Sequence, residues 1–509
     1  MLDVKLAGYN IDADVIDSLV KGKKIKKEAV SPETIAAAYA RISRDPRHVG
    51  ELRKDAREEV EKARKSNETI VFKMGHHSVA EHAYLNFDIT GLSRYAVEAL
   101  EEARLCSYTE KSQRYITLDG DYVVPGEFDA AQKKLFKSAV KKQVDAYKKA
   151  FPVLHEYQKA MHTEMSSDSK RDQSTIEGWA KEDARYMLSM ATECQLGFSS
   201  NSRNLEYIIR KLKYHPLEEV RELGSLLYKK AKEVVPSLII LSDPDAFKKQ
   251  FGWDVSDGFL KNGREKIGAL TKDALKKYSK LKEHADISDI NLVCHTDDPD
   301  SRVIAALLYA VSGKPYGLCV EIAKEMKGKQ GQTKFMKEIF RGMTEYDAMP
   351  REFEFVNFVF ELKISSSAFA QMKRHRMMTI LKQSYDPAHG YTVPPAIKAT
   401  GLEKLFSEVM EQTEAVYAKL DKKSPEAADY VLTNAHKRRI LINVSLRELY
   451  HIARLRMDKH AQWDIQNVSV EMLSILKIVS PVTSALACGK DGFKKEYWKL
   501  FGGETKIKK

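Results

Sequence analysis

Apolar and polar positions alternate with a period of two at residues 83–89 (AYLNFDI) and again at 353–360 (FEFVNFVF), and each run leads into a short segment of helical spacing that carries basic residues. Period two puts successive side chains on opposite faces of a strand, whereas apolar residues three and four apart gather on one face of a helix. A strand followed by a basic helix is therefore predicted twice. Further helices are predicted at 32–43, with Ser31 as N-cap and Pro32 at the first helical position, and at its partner 299–312. Residues 49–66 form a charged helical segment. Helical stripes of core residues run through 131–157 (Leu135, Phe136, Val140, Val144, Tyr147) and 402–420 (Leu405, Phe406, Val409, Val416, Tyr417). Each half closes with a helical block, 203–234 and 447–479, and residues 251–290 form a lysine-rich helical connector.

Spacing strengthens the repeat. Arg104 lies eight positions before Ser112, as Arg376 lies eight before Ser384. The heptapeptide EDARYML from Glu182 parallels EAADYVL from Glu426, and NSRNL from Asn201 parallels SLREL from Ser445. Arg185 to Asn201 is sixteen positions, and so is Asp429 to Ser445. The stretch between these landmarks is longer in the first half, 71 positions from Arg114 to Arg185 against 43 from Asp386 to Asp429, and a surface insertion at 166–175 accounts for part of it. The 509 residues thus divide into two homologous domains, 1–250 and 291–509, joined by the 251–290 linker.

Composition narrows the class. Five cysteines without a CxxC pair, no apolar run of bilayer length and no signal-peptide pattern predict a reduced, soluble, cytoplasmic protein with no membrane partner. The net charge of +12 is carried by lysines spread among acids, as at 133–149 and 261–282. That pattern describes a solvated surface, not a nucleic-acid-binding face. Neither GxGxxG nor GxxxxGKS occurs.

Candidate chemistry centres on ISSSAFAQMKRHRMMTILKQSYDP, from Ile364. Gln371, Arg374, His375 and Arg376, with Ser384 downstream, offer forked donors, an imidazole and an amide, a set suited to an anionic, hydrogen-bonding ligand. Taken alone, the same residues read as a solvated basic helix end. In GHHSVAEH the histidines do not have HExxH spacing and no cysteine joins them, so no metal is predicted.

Taken as an ordered set, these blocks resemble the flavin-dependent thymidylate synthase (ThyX) family. Gln371, then Arg374-His375-Arg376, seven residues and Ser384 resemble its signature, and GHHSVAEH, GLSRY, SxxExSxRY (Ser107 to Tyr115) and RLRxxxHAQWDIQ (Arg454 to Gln466) resemble its other blocks. The resemblance implies an α/β (α+β) fold, here as two tandem ThyX-like domains, each a twisted, mainly antiparallel sheet with a helical bundle. It implies FAD as cofactor, with NADPH and methylenetetrahydrofolate as co-substrates in the methylation of dUMP to dTMP. It also implies no cysteine nucleophile, and a homodimer of tandem chains in place of the family's tetramer.

Neither half keeps the full motif. The first retains His82, Glu110, Ser112, Arg114, Arg185, Asn201 and Arg203 but has Ala99 and Glu102-Ala103-Arg104 where glutamine and Arg-His-Arg are expected. The second retains Gln371, Arg374, His375, Arg376, Ser384, Arg447 and Arg456 but has Phe355, Lys382, Asp386 and Asp429 at the matching histidine, acid and arginine positions. By resemblance, Glu110, Ser112, Arg114 and Arg185 bind substrate with Gln371, Arg374 and Arg456. His82, His375, Arg376, Asn201, Arg203 and Arg447 lie on the cofactor side, and Gln371, Arg374, His375, Arg376 and Ser384 are the catalytic set. The complementary losses imply one composite site drawn from both halves. The rival expectation is a retired enzyme, kept as a nucleotide-binding or scaffolding protein.

Overall fold

The computed structural model describes residues 1–113, 120–165, 169–256, 258–281 and 288–502. Arg114 and Tyr115, part of the 166–175 insertion and part of the linker lie outside the described residues.

Each predicted strand-and-helix repeat sits inside its own four-stranded antiparallel sheet. The first sheet has strands β1 (Asp3–Tyr9), β2 (Tyr84–Ser93), β3 (Ser107–Glu110) and β4 (Glu193–Asn201), in the order β1-β2-β4-β3. The second has β5 (Ile290–His295), β6 (Asn357–Ser365), β7 (Met378–Tyr385) and β8 (Lys437–Ser445), in the equivalent order β5-β6-β8-β7. Alternation is kept in the burial: Leu85, Phe87 and Ile89 of β2, and Phe358, Phe360 and Leu362 of β6, face their cores. The second alternating run enters its strand later than its pattern predicts. Arg351–Phe355 forms a 3-10 turn behind Pro350, and pairing begins at Asn357. Proline has no N–H to give a ladder and sits ahead of the strand.

Among the helices, Glu33–Arg41 and Pro299–Ser312 occupy matching places; Pro32, not Ser31, stands at the N-cap of the first, and the Ser31 hydroxyl accepts from the Glu33 N–H one residue ahead of that cap. The charged segment breaks at Glu59 into Val49–Glu58 and Val60–Glu68. The long stripes become Ala130–Met161 and Glu403–Asp421, and the terminal blocks become Ser202–Lys213 with Glu218–Lys232, and Leu446–Arg456 with Trp463–Val479. The connector holds a helix at Phe259–Lys277. Part of the first half's extra length is a whole helix, Lys170–Ala184.

The chain forms two compact units, and each takes in a piece of chain from the far repeat. Unit 1 comprises Met1–Lys181, Leu188–His284 and Glu408–Leu432; unit 2 comprises Glu182–Met187, Ala285–Ser407 and Thr433–Lys509. Backbone and side-chain bonds hold these pieces. In unit 1 the Met190 N–H donates to the Leu432 carbonyl at 2.8 Å, and Gln143 Nε2 donates to the Val431 carbonyl at 2.8 Å. Val416, Leu420, Tyr430 and Val431 are buried in the unit 1 core. In unit 2 the Asn434 amide donates to the Arg185 carbonyl at 2.9 Å. No helix of the described residues is long and apolar enough to cross a membrane.

Candidate functional site

In unit 2, β6 ends at Ser365, whose hydroxyl caps the helix Ser366–Met372 by accepting from the Ala368 N–H at 3.0 Å. The same hydroxyl donates to Asp464 Oδ2 at 2.5 Å. The helix stops after two turns, so Gln371 stands at its end, and Arg374, His375 and Arg376 form the turn into β7. The helix Leu446–Arg456, capped by Ser445, brings Arg456 and Glu448 to the same turn.

These residues form one continuous chain of hydrogen bonds and close polar approaches. His375 Nδ1 lies 3.3 Å from Glu448 Oε1, and His375 Nε2 accepts from Arg456 Nε at 2.9 Å. The Arg456 guanidinium also donates to the Gln371 side-chain oxygen at 3.4 Å and to its carbonyl at 3.2 Å. Gln371 Nε2 donates to Gln462 Oε1 at 3.4 Å, Gln462 Nε2 to the Tyr186 hydroxyl at 2.8 Å, and that hydroxyl to Asp464 at 2.8 Å. Tyr186 comes from the Glu182–Met187 segment, as do Asp183, which accepts from the Trp463 indole at 2.8 Å, and buried Arg185. Each amide has its orientation dictated by its neighbours, which gives a buried polar network its rigidity.

Burial sets the charges. His375 is 2 % exposed, and desolvation, then the Arg456 and His451 charges, hold its pKa well below the usual imidazole range, so the ring is neutral. Its approach to Glu448 is thus that of a neutral ring to an acid, not a salt bridge. Desolvation raises the acids: Glu448, where His451 and Arg447 oppose the rise, and Asp464, where the bonds from Ser365 and Tyr186 do. Arg374 and Arg376 flank this cluster on the exposed surface, and Ser384 is exposed on β7. Arg447 lies apart from it, donating to Glu354 at 2.9 Å and to the Met349 carbonyl at 2.7 Å.

The remaining predicted residues belong to unit 1. Glu110 lies on β3, its carboxylate 3.1 Å from Arg94, and it borders a cavity of about 540 Å³ on the sheet, with Lys5, Asp88 and Lys111 among the other walls. Ser112 follows that strand, half-buried. Asn201 caps the helix Ser202–Lys213, Arg203 pairs with Glu81 at 2.5 Å, and His82 packs edge-on against Tyr39. Among the described residues the histidines at 76–82 form no metal-type cluster; His375, Glu448 and His451 are the one such group, with ligand atoms within 4.8 Å of one another. Glu448, His451, Gln462, Tyr186 and Asp464 are absent from the predicted set. Tyr186, at a matching place in both repeated heptapeptides, was the available signal.

The chain belongs to the family described as thymidylate synthase complementing protein (Thy1), whose model matches residues 25–237 and 291–482. Among its relatives, a UPF0159 protein of Chlamydia pneumoniae is 24% identical over 428 residues, covering 82% of this chain and 79% of that protein. A flavin-dependent thymidylate synthase of Clostridium tetani is 30% identical over 227 residues, 43% of this chain and 86% of that protein. Thymidylate synthase X from Helicobacter pylori, solved with FAD and dUMP, aligns at 17% identity and a TM-score of 0.27, over 49% of this chain and 100% of that one.

Proposed function

We propose that the chain is a flavin-dependent thymidylate synthase, methylating dUMP to dTMP with methylenetetrahydrofolate as one-carbon donor and NADPH as reductant through FAD. The reading rests on the unit 2 network, which holds Gln371, His375 and Arg456 in one arrangement beside exposed Arg374 and Arg376. A flavin dinucleotide suits this donor set, because the exposed Arg376 guanidinium matches a phosphate of its diphosphate. When bound, the flavin supplies hydride transfer. The chain's own part is binding and polarisation: Arg374 and Arg456 place positive charge where the nucleotide is anionic, and Gln371 offers the uracil both an acceptor and a donor. Arg185, carried into unit 2 from the first repeat, adds a second-repeat site's missing arginine. Glu110, Ser112 and Arg114 enter as nucleotide ligands on the motif that carries the family likeness, and a homodimer in solution follows from the same likeness.

The test is a visible spectrum of the purified chain with FAD, titrated with dUMP, followed by turnover with methylenetetrahydrofolate and NADPH. A bound flavin perturbed by dUMP, with dTMP formed, supports the reading; absence of flavin binding overturns it. The second reading, a nucleotide-binding protein without turnover, is favoured by the unit 1 corner, where Ala99 and Ala103 replace the glutamine and histidine and the Tyr95 hydroxyl donates to Asp429 at 2.8 Å. Flavin and dUMP binding without dTMP formation would establish it.

A further inference from the structure

We propose that Glu448, supported by His451 one helical turn on, is a positioning residue that keeps the His375 proton on Nδ1, leaving Nε2 to accept from Arg456 and so to fix Arg456 and Gln371. The argument begins at Arg456. Its Nε has one hydrogen, and at 2.9 Å that hydrogen points at His375 Nε2. Nε2 must therefore present its lone pair, and a neutral imidazole then carries its proton on Nδ1. Glu448 Oε1 stands 3.3 Å from Nδ1, on a side chain almost as buried as the histidine. That separation lies in ion-pair range without the alignment of a full hydrogen bond, and among the described residues buried Nδ1 makes no other hydrogen bond. His451 sets its ring edge-on to His375, centroids 5.5 Å apart, and faces the same carboxylate.

A metal ion is the competing use of these three side chains, and the geometry opposes it. A metal on Nδ1 would move the ring proton to Nε2, where it would meet the Arg456 N–H head-on, and would place a second cation beside the guanidinium. Unit 1 supplies an internal control. Counting from the matched caps Asn201 and Ser445, the place of Glu448 is held by Asn204 and that of His451 by Tyr207, and the place of His375 by Ala103. The acid occurs where there is a ring to orient.

The inference rests on the proposed function for what Arg456 and Gln371 hold, but the tautomer can be read without it. The experiment labels the full chain with 15N in the histidine rings and records ring 1H–15N correlations, with His375 assigned by the signals lost in His375→Gln. The expected result is a neutral ring protonated at Nδ1. Glu448→Leu should shift it toward the Nε2–H form and weaken dUMP affinity or kcat/KM by about tenfold to a hundredfold, as for loss of one charge-assisted hydrogen bond. Glu448→Gln, which keeps an acceptor, should stay within about threefold of the unmodified chain, well short of that loss. An Nε2–H ring in the unmodified protein, or a Glu448→Leu protein identical in both measurements, overturns the proposal. If Glu448→Leu does not fold, the unmodified spectrum and Glu448→Gln decide. If the unmodified chain binds neither flavin nor dUMP, the functional reading fails while the ring spectrum still decides whether Glu448 positions Arg456.

Discussion

The two strand-to-helix corners have the same backbone and opposite interiors. Ser93 in unit 1 and Ser365 in unit 2 each cap a short helix and donate to a buried acid, Glu219 at 2.7 Å and Asp464 at 2.5 Å. Each acid also accepts from a tyrosine carried in by the exchanged segment, Tyr430 at 2.6 Å and Tyr186 at 2.8 Å. Beyond this shared frame the corners part. Where unit 2 has Gln371, His375, Arg456, Glu448 and Gln462, unit 1 has Ala99, Ala103, Leu212, Asn204 and Leu217. The polar set has been replaced as a set. That is the pattern expected when each member satisfies another, because removing one leaves a buried partner unpaired while removing all leaves an ordinary core. Ser, Tyr and acid persist in both corners because they hold the frame; the five residues that differ make up the hydrogen-bonded network that unit 2 has and the matching unit 1 corner lacks.

The largest effect should come from charge at the exposed arginine. Arg374→Glu should abolish dUMP binding, a loss above about a hundredfold, since a charge that attracts the nucleotide's phosphate becomes one that repels it, whereas Glu102→Ala at the matching unit 1 position should leave affinity unchanged. Isothermal titration separates the two, and equal losses would erase the distinction between the corners. Next in size, His375→Ala alone should cost about 2–4 kcal/mol in urea denaturation, because it leaves Arg456 and Glu448 without their buried partner. Converting all five residues to the unit 1 set should cost less than the sum of the single changes, a coupling that a mutant cycle measures directly.

Smaller, and confined to the other corner, Tyr95→Phe should destabilise by about 1–3 kcal/mol through the bond lost to buried Asp429, with flavin binding intact. The smallest effect is the pH dependence. A folded-state imidazole held below its ordinary value of 6.5 binds fewer protons than the unfolded chain below that pH, so His375 should cost stability as pH falls from about 7 to 5. Raised Glu448 acts in the opposite sense, losing stability as pH rises above its ordinary 4.5. The Tm difference between the unmodified chain and His375→Gln should therefore shift against the unmodified chain on acidification, and a constant difference would show that the ring titrates normally.

Much of this was readable from residue order. Strands and helices have strong periods, and Gln371, His375 and Arg456 fall in motifs whose spacing survives in the chain. Glu448 and His451 were not readable, since an acid and a histidine three apart on an amphipathic helix look like any solvated pair until the fold brings them to a ring more than 70 positions earlier. Tyr186 was visible as half of a repeat, but its partner Asp464 lies 278 positions away. The late start of β6 reflects Pro350, a local constraint that the alternation of Phe353 and Phe355 conceals.

The exchanged segments also govern how the chain must be made. Unit 1 draws on Glu408–Leu432, and its buried acid Glu219 waits for a tyrosine 211 residues later. An N-terminal domain that folds as it leaves the ribosome would ordinarily be complete long before the second is synthesised. Here it must remain open until nearly the whole chain has emerged, and closing loops of that length slows folding. Either half made alone, 1–250 or 291–509, would lack the piece of chain that the other supplies, Glu408–Leu432 to unit 1 or Glu182–Met187 to unit 2, so the two halves of the duplicated chain depend on each other to complete their cores.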